Sequence, residues 1–274
     1  GTVVEFVPAA DPFQPPLTEI SSPTVVRLSS GNPLPQPFEI GAGLTTGSGE
    51  EIAQRLEALE GMRVGVGSLT VVGPTIRSGG INETAATLVS SGVFYGVVSG
   101  VPRPMREAGI DVVEPLLTCA AGAGCAIPRF DGNLERLRIV STGLGGALLD
   151  VAAGATVTGL VGPLDFGFRT YTIFPEATPA VVDQVSVRSV PPAHPDEITV
   201  ASLNMLRFFD DQNDPDFPIP GTGGTEPVLT AAAWERRLTK ASRTIREVLG
   251  TPDVVGLVEV ENQATVDALA ARLN

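Results

Sequence analysis

The chain has 274 residues, 43% of them hydrophobic and 18% charged, with a formal net charge of −13. This is enough apolar chain for one large folded domain or two smaller ones. The acidic balance excludes a broad basic groove neutralising many phosphates, and no apolar run reaches the roughly 18 residues of a membrane-spanning helix. The 31 Gly and 24 Pro, set against 5% aromatic residues, point to many short strands and turns and hence to a mainly β chain.

No basic-then-apolar segment opens the chain, which begins on the strand-like Gly1-Thr-Val-Val-Glu-Phe-Val7; an earlier segment is expected to have been removed. Further short strands are expected at Leu17–Ile20 and Thr24–Ser29, before the turn-rich Ser30-Gly-Asn-Pro-Leu-Pro35. Over Ser48–Glu60 the spacing of Ile52, Leu56 and Leu59 predicts a helix, with Ser48 as N-cap and Gly61 as the stop.

From Met62 the pattern returns to strands, at 62–66, 68–72, 93–98, 137–140, 156–161 and 170–174. With a hairpin near Pro163–Phe168 they suit a β-barrel or a compact sandwich. Asn82-Glu-Thr84 fits an N-glycosylation acceptor. Cys119 and Cys125 flank a Gly- and Ala-rich loop that lets two Cβ atoms meet, so a local disulfide in an exported protein is expected rather than a zinc site. Arg103, Arg106, Arg129, Arg136 and Arg138 are either scattered surface charges or a local phosphate-facing patch.

Val181–Val190 reads as a last strand and 191–197 as a stiff linker, on which His194, the only histidine, is expected to be exposed and chemically idle. Two β-branched and aliphatic runs follow, Ile198–Phe208 and Thr251–Asn262, separated by a helix predicted over 231–249 from the spacing of Trp234, Leu238, Ala241, Ile245, Val248 and Leu249. This gives a strand–helix–strand unit. Each strand carries polar residues where a core strand should have none: Asn204 in the first, Glu259 and Glu261 in the second. Alternation puts Glu259 and Glu261 on one face with Val255 and Leu257, where a carboxylate is costly unless paired or metal-bound. Such an Asn and Glu supply hard oxygen ligands for Mg²⁺. The loop Asp210–Asp216 holds four carboxylates, read as a solvated loop or as a Ca²⁺ site that lacks EF-hand spacing. Arg236, Arg237 and Lys240 either approach a phosphate or pair with acids.

Ala201-Ser-Leu-Asn-Met-Leu-Arg-Phe-Phe-Asp210, Glu235-Arg-Arg-Leu-Thr-Lys240 and Asp253-Val-Val-Gly-Leu-Val-Glu-Val-Glu-Asn262 resemble the secreted bacterial nucleases of the endonuclease/exonuclease/phosphatase superfamily, the DNase I-like phosphodiesterases. Gly1-Thr-Val-Val-Glu-Phe, Leu17-Thr-Glu-Ile20 and Ser29-Ser-Gly-Asn-Pro-Leu-Pro35 are similar to the OB-like barrel that precedes their catalytic domain. The resemblance implies part of an OB-like barrel over 1–40, a β-rich accessory domain over 41–190, and over 198–274 the start of a four-layer α/β sandwich. It implies an extracellular enzyme hydrolysing DNA with Mg²⁺ or Mn²⁺, in which Asn204 and Glu259 hold the catalytic metal; Ca²⁺ is expected only if the Asp210–Asp216 loop is an ion site. The family completes its site with later Asp, Asn and His motifs; His194 matches neither family histidine, so this chain by itself is expected to be inactive. The alternatives are a non-catalytic binding or scaffold module and a phosphatase of the same superfamily.

Overall fold

The computed structural model describes residues 1–9, 16–102, 133–183, 189–214 and 226–274. The chain divides into two units, Gly1–Ile76 with Ser90–Val185, and Arg77–Val89 with Ser186–Asn274.

The first unit opens with β1 (Thr2–Phe6) and β2 (Leu17–Ser21), an antiparallel pair. Residues 24–29, expected as a strand, join no ladder, and Val25, Val26 and Leu28 are exposed. After the two-residue β3 (Phe38–Glu39) comes α1 (Gly49–Glu57). Its N-terminus is closed by a capping box: the Glu51 N–H donates to the Ser48 hydroxyl and the Ser48 N–H to the Glu51 carboxylate. Ile52 and Leu56 face the core; the helix ends at Glu57 with Ala58 as C-cap, short of the expected residue 60, and Gly61, at φ +72°, lies in the turn that follows.

The remaining strands are β4 (Arg63–Gly73), β5 (Arg77–Asn82), β6 (Thr87–Ser90), β7 (Val93–Val98), β8 (Leu137–Val140), β9 (Thr156–Gly167), β10 (Thr170–Ile173) and β11 (Ala180–Asp183). Five of them close a barrel in the order β4-β7-β8-β10-β9 and back to β4. Every neighbouring pair is antiparallel except β8–β10, which is parallel. Phe94, Leu137, Ile139, Leu160 and Ile173 fill the interior.

The barrel therefore lies within residues 63–173. Among the described residues, 1–40, assigned from sequence to part of an OB-like barrel, supply β1, β2 and β3. Two expected strands, 62–66 and 68–72, are one strand, because Gly67 changes the inward phase without breaking the ladder. Val64 and Val66 point inward before it, Leu69 and Val71 after it. Gly159, at φ +74°, does the same to the partner strand, and Val66↔Leu160 is followed directly by Ser68↔Thr158. The two strands turn a corner together, which is how a sheet curls into a barrel.

In the second unit β5 and β6 pair as a two-stranded sheet. A separate parallel sheet is formed by β12 (Val200–Phe208) and β13 (Val254–Val260), with α2 (Ala231–Arg243), a π-helical turn (Thr244–Val248) and α3 (Gln263–Leu273) beside it. Leu203, Met205, Val255 and Leu257 pack with Leu238, Ala241 and Ile245 of the helical stretch and Leu269 of α3. The opposite face leaves Val200, Val254 and Val258 exposed. The strand–helix–parallel-strand order is the one expected. The chain is thus mainly β with a C-terminal α/β part, and among the described residues no helix is long and apolar enough to cross a membrane.

The chain running on from β10 leaves no room beside β9. A Cβ added at Gly162 would stand 2.0 Å from the Phe174 carbonyl oxygen. Gly162→Ala is therefore expected to destabilise the first unit by about 1–3 kcal/mol, the usual range for overpacking. Urea denaturation checks this, and an unchanged midpoint would contradict the close approach of the two hairpin arms.

Candidate functional site

The two parallel strands stay in register from Val200↔Val254 to Asn204↔Val258, and then the register jumps to Phe208↔Val260. Three residues on β12 thus stand against one on β13. The excess is taken up in left-handed backbone: Leu206 at φ +51°, Arg207 at φ +54° and Glu259 at φ +61°. No glycine is available at these positions, and each such residue costs about 1–2 kcal/mol.

Arg237 of α2 holds the distorted segment. Its Nη1 donates to the Arg207 carbonyl at 2.8 Å, and its Nη2 to the carbonyls of Met205 and Leu206 at 3.0 and 2.7 Å. Its guanidinium lies 5.4 Å from the centre of the Phe208 ring. Burial pushes Arg237 down from the ordinary guanidinium range, a cost these hydrogen bonds offset.

On the outer side of the turn the two predicted metal ligands meet. Asn204 Nδ2 donates to Glu259 Oε1 at 2.9 Å, the Leu206 N–H donates to Asn204 Oδ1 at 2.7 Å, and the Arg207 N–H to Glu259 Oε2 at 2.9 Å. The amide of Asn204, the Arg207 N–H and the Arg207 charge hold the Glu259 carboxyl below its usual range. The expectation that Glu259 shares a buried face with Val255 and Leu257 is corrected. Its left-handed backbone interrupts the alternation, so Glu259 is exposed and Val260 continues the row facing the core.

Beside this pair is a groove of about 450 Å³, lined in part by Asn204, Leu206, Glu83, Arg236 and Lys240. Arg236 Nη2 donates to the Ala85 carbonyl at 2.9 Å, and Arg207 pairs with Glu83 at 3.2 Å. All three helix cations singled out in the sequence, Arg236, Arg237 and Lys240, line the groove, and Arg237 is in addition a strut for main chain.

A second group of acids lies behind the strand ends. Glu261 is 5% exposed, and one of its oxygens accepts the Asp210 N–H at 3.0 Å. Glu226, also 5% exposed, accepts the Asp214 N–H, while Asn262 Nδ2 donates to Asp214 Oδ2 at 2.5 Å. Burial, with Asp210 and Glu226 close by, pushes Glu261 up to about 7; burial likewise raises Asp210. The acidic loop is therefore not simply solvated, since Asp210 is only 6% exposed. Glu226 escaped the sequence reading because only the fold brings it to Asp214 and Glu261.

His194 is exposed as expected, its N–H donating to Glu197 Oε2 at 2.8 Å. Asn82, in the glycosylation pattern, is exposed, and its Oδ1 accepts the Ala85 N–H at 3.0 Å. Cys119, Cys125, Arg103, Arg106, Arg129 and Asp216 lie outside the described residues. In the barrel, Arg136 and Arg138 stand over the rings of Tyr95 and Phe168, at 4.7 and 5.3 Å. Compared with known proteins, the chain matches no family model, no curated protein and no solved structure.

The raised Glu261 carboxyl sets a pH dependence. Neutral in the folded protein and ionised in the unfolded chain between about pH 4.5 and 7, it favours folding most at low pH, and that contribution is lost as pH rises through about 7. In buffer with EDTA, the stability of the second unit is expected to fall by on the order of 3 kcal/mol between pH 4.5 and 8, and Glu261→Gln to flatten the profile. Denaturation across that range measures it; identical slopes in both proteins would contradict the assignment.

Proposed function

We propose that the second unit carries a metal-dependent phosphodiesterase site of the DNase I-like kind, acting on DNA in an exported protein. The observation that carries this reading is the Asn204–Glu259 pair, a carboxamide and a carboxylate 2.9 Å apart at the C-terminal ends of parallel strands. Open α/β sheets bind their ligands at such strand ends. The donor set fits Mg²⁺ or Mn²⁺: both side chains present hard oxygens, Glu259 is exposed and held ionised, and each accepting oxygen keeps a further lone pair. Asn204 Oδ1 and the Glu259 carboxylate would hold the ion, which when bound supplies Lewis-acid polarisation of a phosphoryl oxygen. The chain's own groups orient that pair. The Arg207 N–H and the Asn204 amide fix the carboxylate, and Arg237 fixes the main chain that carries both. Arg236 and Lys240 at the groove offer local positive charge to a phosphodiester backbone, as an acidic protein requires.

The barrel supports an accessory role in holding the nucleic acid. Taken in chain order, its five strands neighbour one another as 1-2-3-5-4, with strands 3 and 5 parallel, the order of an OB barrel. OB barrels take oligonucleotides on strands 2 and 3 and on the loop joining strands 4 and 5. Here that region carries Tyr95, Arg136, Arg138 and Phe168. Phe168 is 83% exposed at the tip of a two-residue turn, where it and Arg169 are both left-handed. An exposed ring beside arginines is what base stacking uses.

Cleavage of DNA, RNA and a phosphomonoester, each with Mg²⁺ or Mn²⁺, tests the reading. In a protein that also carries the family's later Asp, Asn and His motifs, metal-dependent DNA cleavage is expected, reduced at least about 100-fold by Glu259→Gln with folding intact, while this chain by itself is expected to hold Mn²⁺ without cleaving. Equal activity in the variant would overturn the metal-ligand assignment, and turnover confined to the phosphomonoester would make the site a phosphatase. No hydrolysis by that longer protein, together with single-stranded DNA binding weakened by Phe168→Ala, would make the protein a binding module.

A further inference from the structure

We infer a second cation site, for Ca²⁺, formed by Asp214, Glu226 and Glu261 and separate from the Asn204–Glu259 pair. One carboxylate oxygen from each of the three lies within 4.8 Å of the others. Two ligands on opposite sides of a Ca²⁺ ion, each at about 2.3–2.6 Å, are separated by such a distance. Convergence alone is a common property of acidic loops; burial makes this case different. Glu226 and Glu261 are each only 5% exposed, and Glu226 Oε2 is buried with no hydrogen-bond partner, although Oε1 of the same carboxylate is engaged by the Asp214 N–H. The Glu261 carboxyl lies within hydrogen-bond reach of Glu226, so this buried acid pair is balanced either by a shared proton or by a bound cation.

Among the described residues, none of the three acids, nor the adjacent Asp210, makes an ion pair with a Lys, Arg or His. Protein groups hold the three carboxylates in place. The Asp210 N–H holds Glu261, Asn262 Nδ2 holds Asp214, and the Asp214 N–H holds Glu226. Each bond occupies one oxygen and leaves acceptor capacity for a metal. Three carboxylates and no nitrogen or sulfur donor favour a hard ion with a high coordination number. Mg²⁺ is usually bound through one or two carboxylates and retains several waters.

The site has a structural consequence. Asp214 and Asp210 follow β12, while Glu261 follows β13, so an ion held there ties together the ends of the two strands that carry Asn204 and Glu259.

Isothermal titration of the EDTA-stripped protein with CaCl2 tests the inference, with thermal unfolding recorded alongside. One Ca²⁺ per chain is expected, with a higher melting temperature when it is bound. Affinity is expected to drop at least about 10-fold in both Glu226→Gln and Glu261→Gln, and to be retained in Glu259→Gln. The two amide variants remove like-charge repulsion, so they are expected to melt no lower than the unmodified protein in EDTA. No Ca²⁺ binding by the folded protein would overturn the inference. So would binding that survives both substitutions, or binding lost only in Glu259→Gln. The first of these outcomes leaves the Asn204–Glu259 reading standing, so failure of one site is distinguishable from failure of the other.

Discussion

Arg237 donates to three successive main-chain carbonyls, those of Met205, Leu206 and Arg207, and the geometry of the strand ends depends on that clamp. Hydrogen bonds from a charged donor are worth about 1.5–3 kcal/mol each, while each left-handed residue at the turn costs about 1–2 kcal/mol. The two sums are of the same size, so the strained turn is sustained by one side chain and a few local contacts. Without the turn, β12 would run on in simple alternation and the Arg207 N–H would not point at Glu259. The pairing of Asn204 with Glu259 is thus a property of three elements: two strands and the helix that connects them.

The same strand ends organise both groups of acids. Left-handed backbone at Glu259 changes the phase of β13 and sends Glu259 outward, while Glu261, two residues on, is buried. One deviation therefore sorts two neighbouring carboxylates into different environments and gives them opposite proton affinities. Glu259 is held ionised by donors, and Glu261 is driven toward neutrality by burial among like charges. Two carboxylates that a strand diagram would treat as equivalent acquire different chemistry from φ at a single residue.

Much of this was legible in the sequence. Ser48 and the stripe of Ile52, Leu56 and Leu59 gave α1 its start and its buried face, although the helix ends at Glu57 rather than at Gly61; the aliphatic runs at 198–208 and 251–262 contain the two parallel strands. Asn204 and Glu259 stood out as polar residues in apolar runs, and the fold brings them into contact. What escaped was long-range or conformational. Gly67 looks like a strand break, and only pairing with a second bent strand at Gly159 reveals a barrel corner. Residues 24–29 have strand composition but find no partner. The α3 helix was not anticipated; its signal was Asn262 with Thr265 three residues on, the two halves of its capping box. Positive φ at Leu206, Arg207 and Glu259 has no signature in residue types that normally avoid it, so the exposure of Glu259 was beyond pattern reading.

The central claim is that Asn204 and Glu259 form one metal-holding pair on a turn fixed by Arg237. Anomalous scattering from crystals of the protein grown with Mn²⁺ tests it most directly. The account predicts a manganese peak bonded to Asn204 Oδ1 and the Glu259 carboxylate, with the Arg237 clamp intact. Full manganese occupancy elsewhere, at Asp214, Glu226 and Glu261 for instance, with none at Asn204 and Glu259, would contradict it.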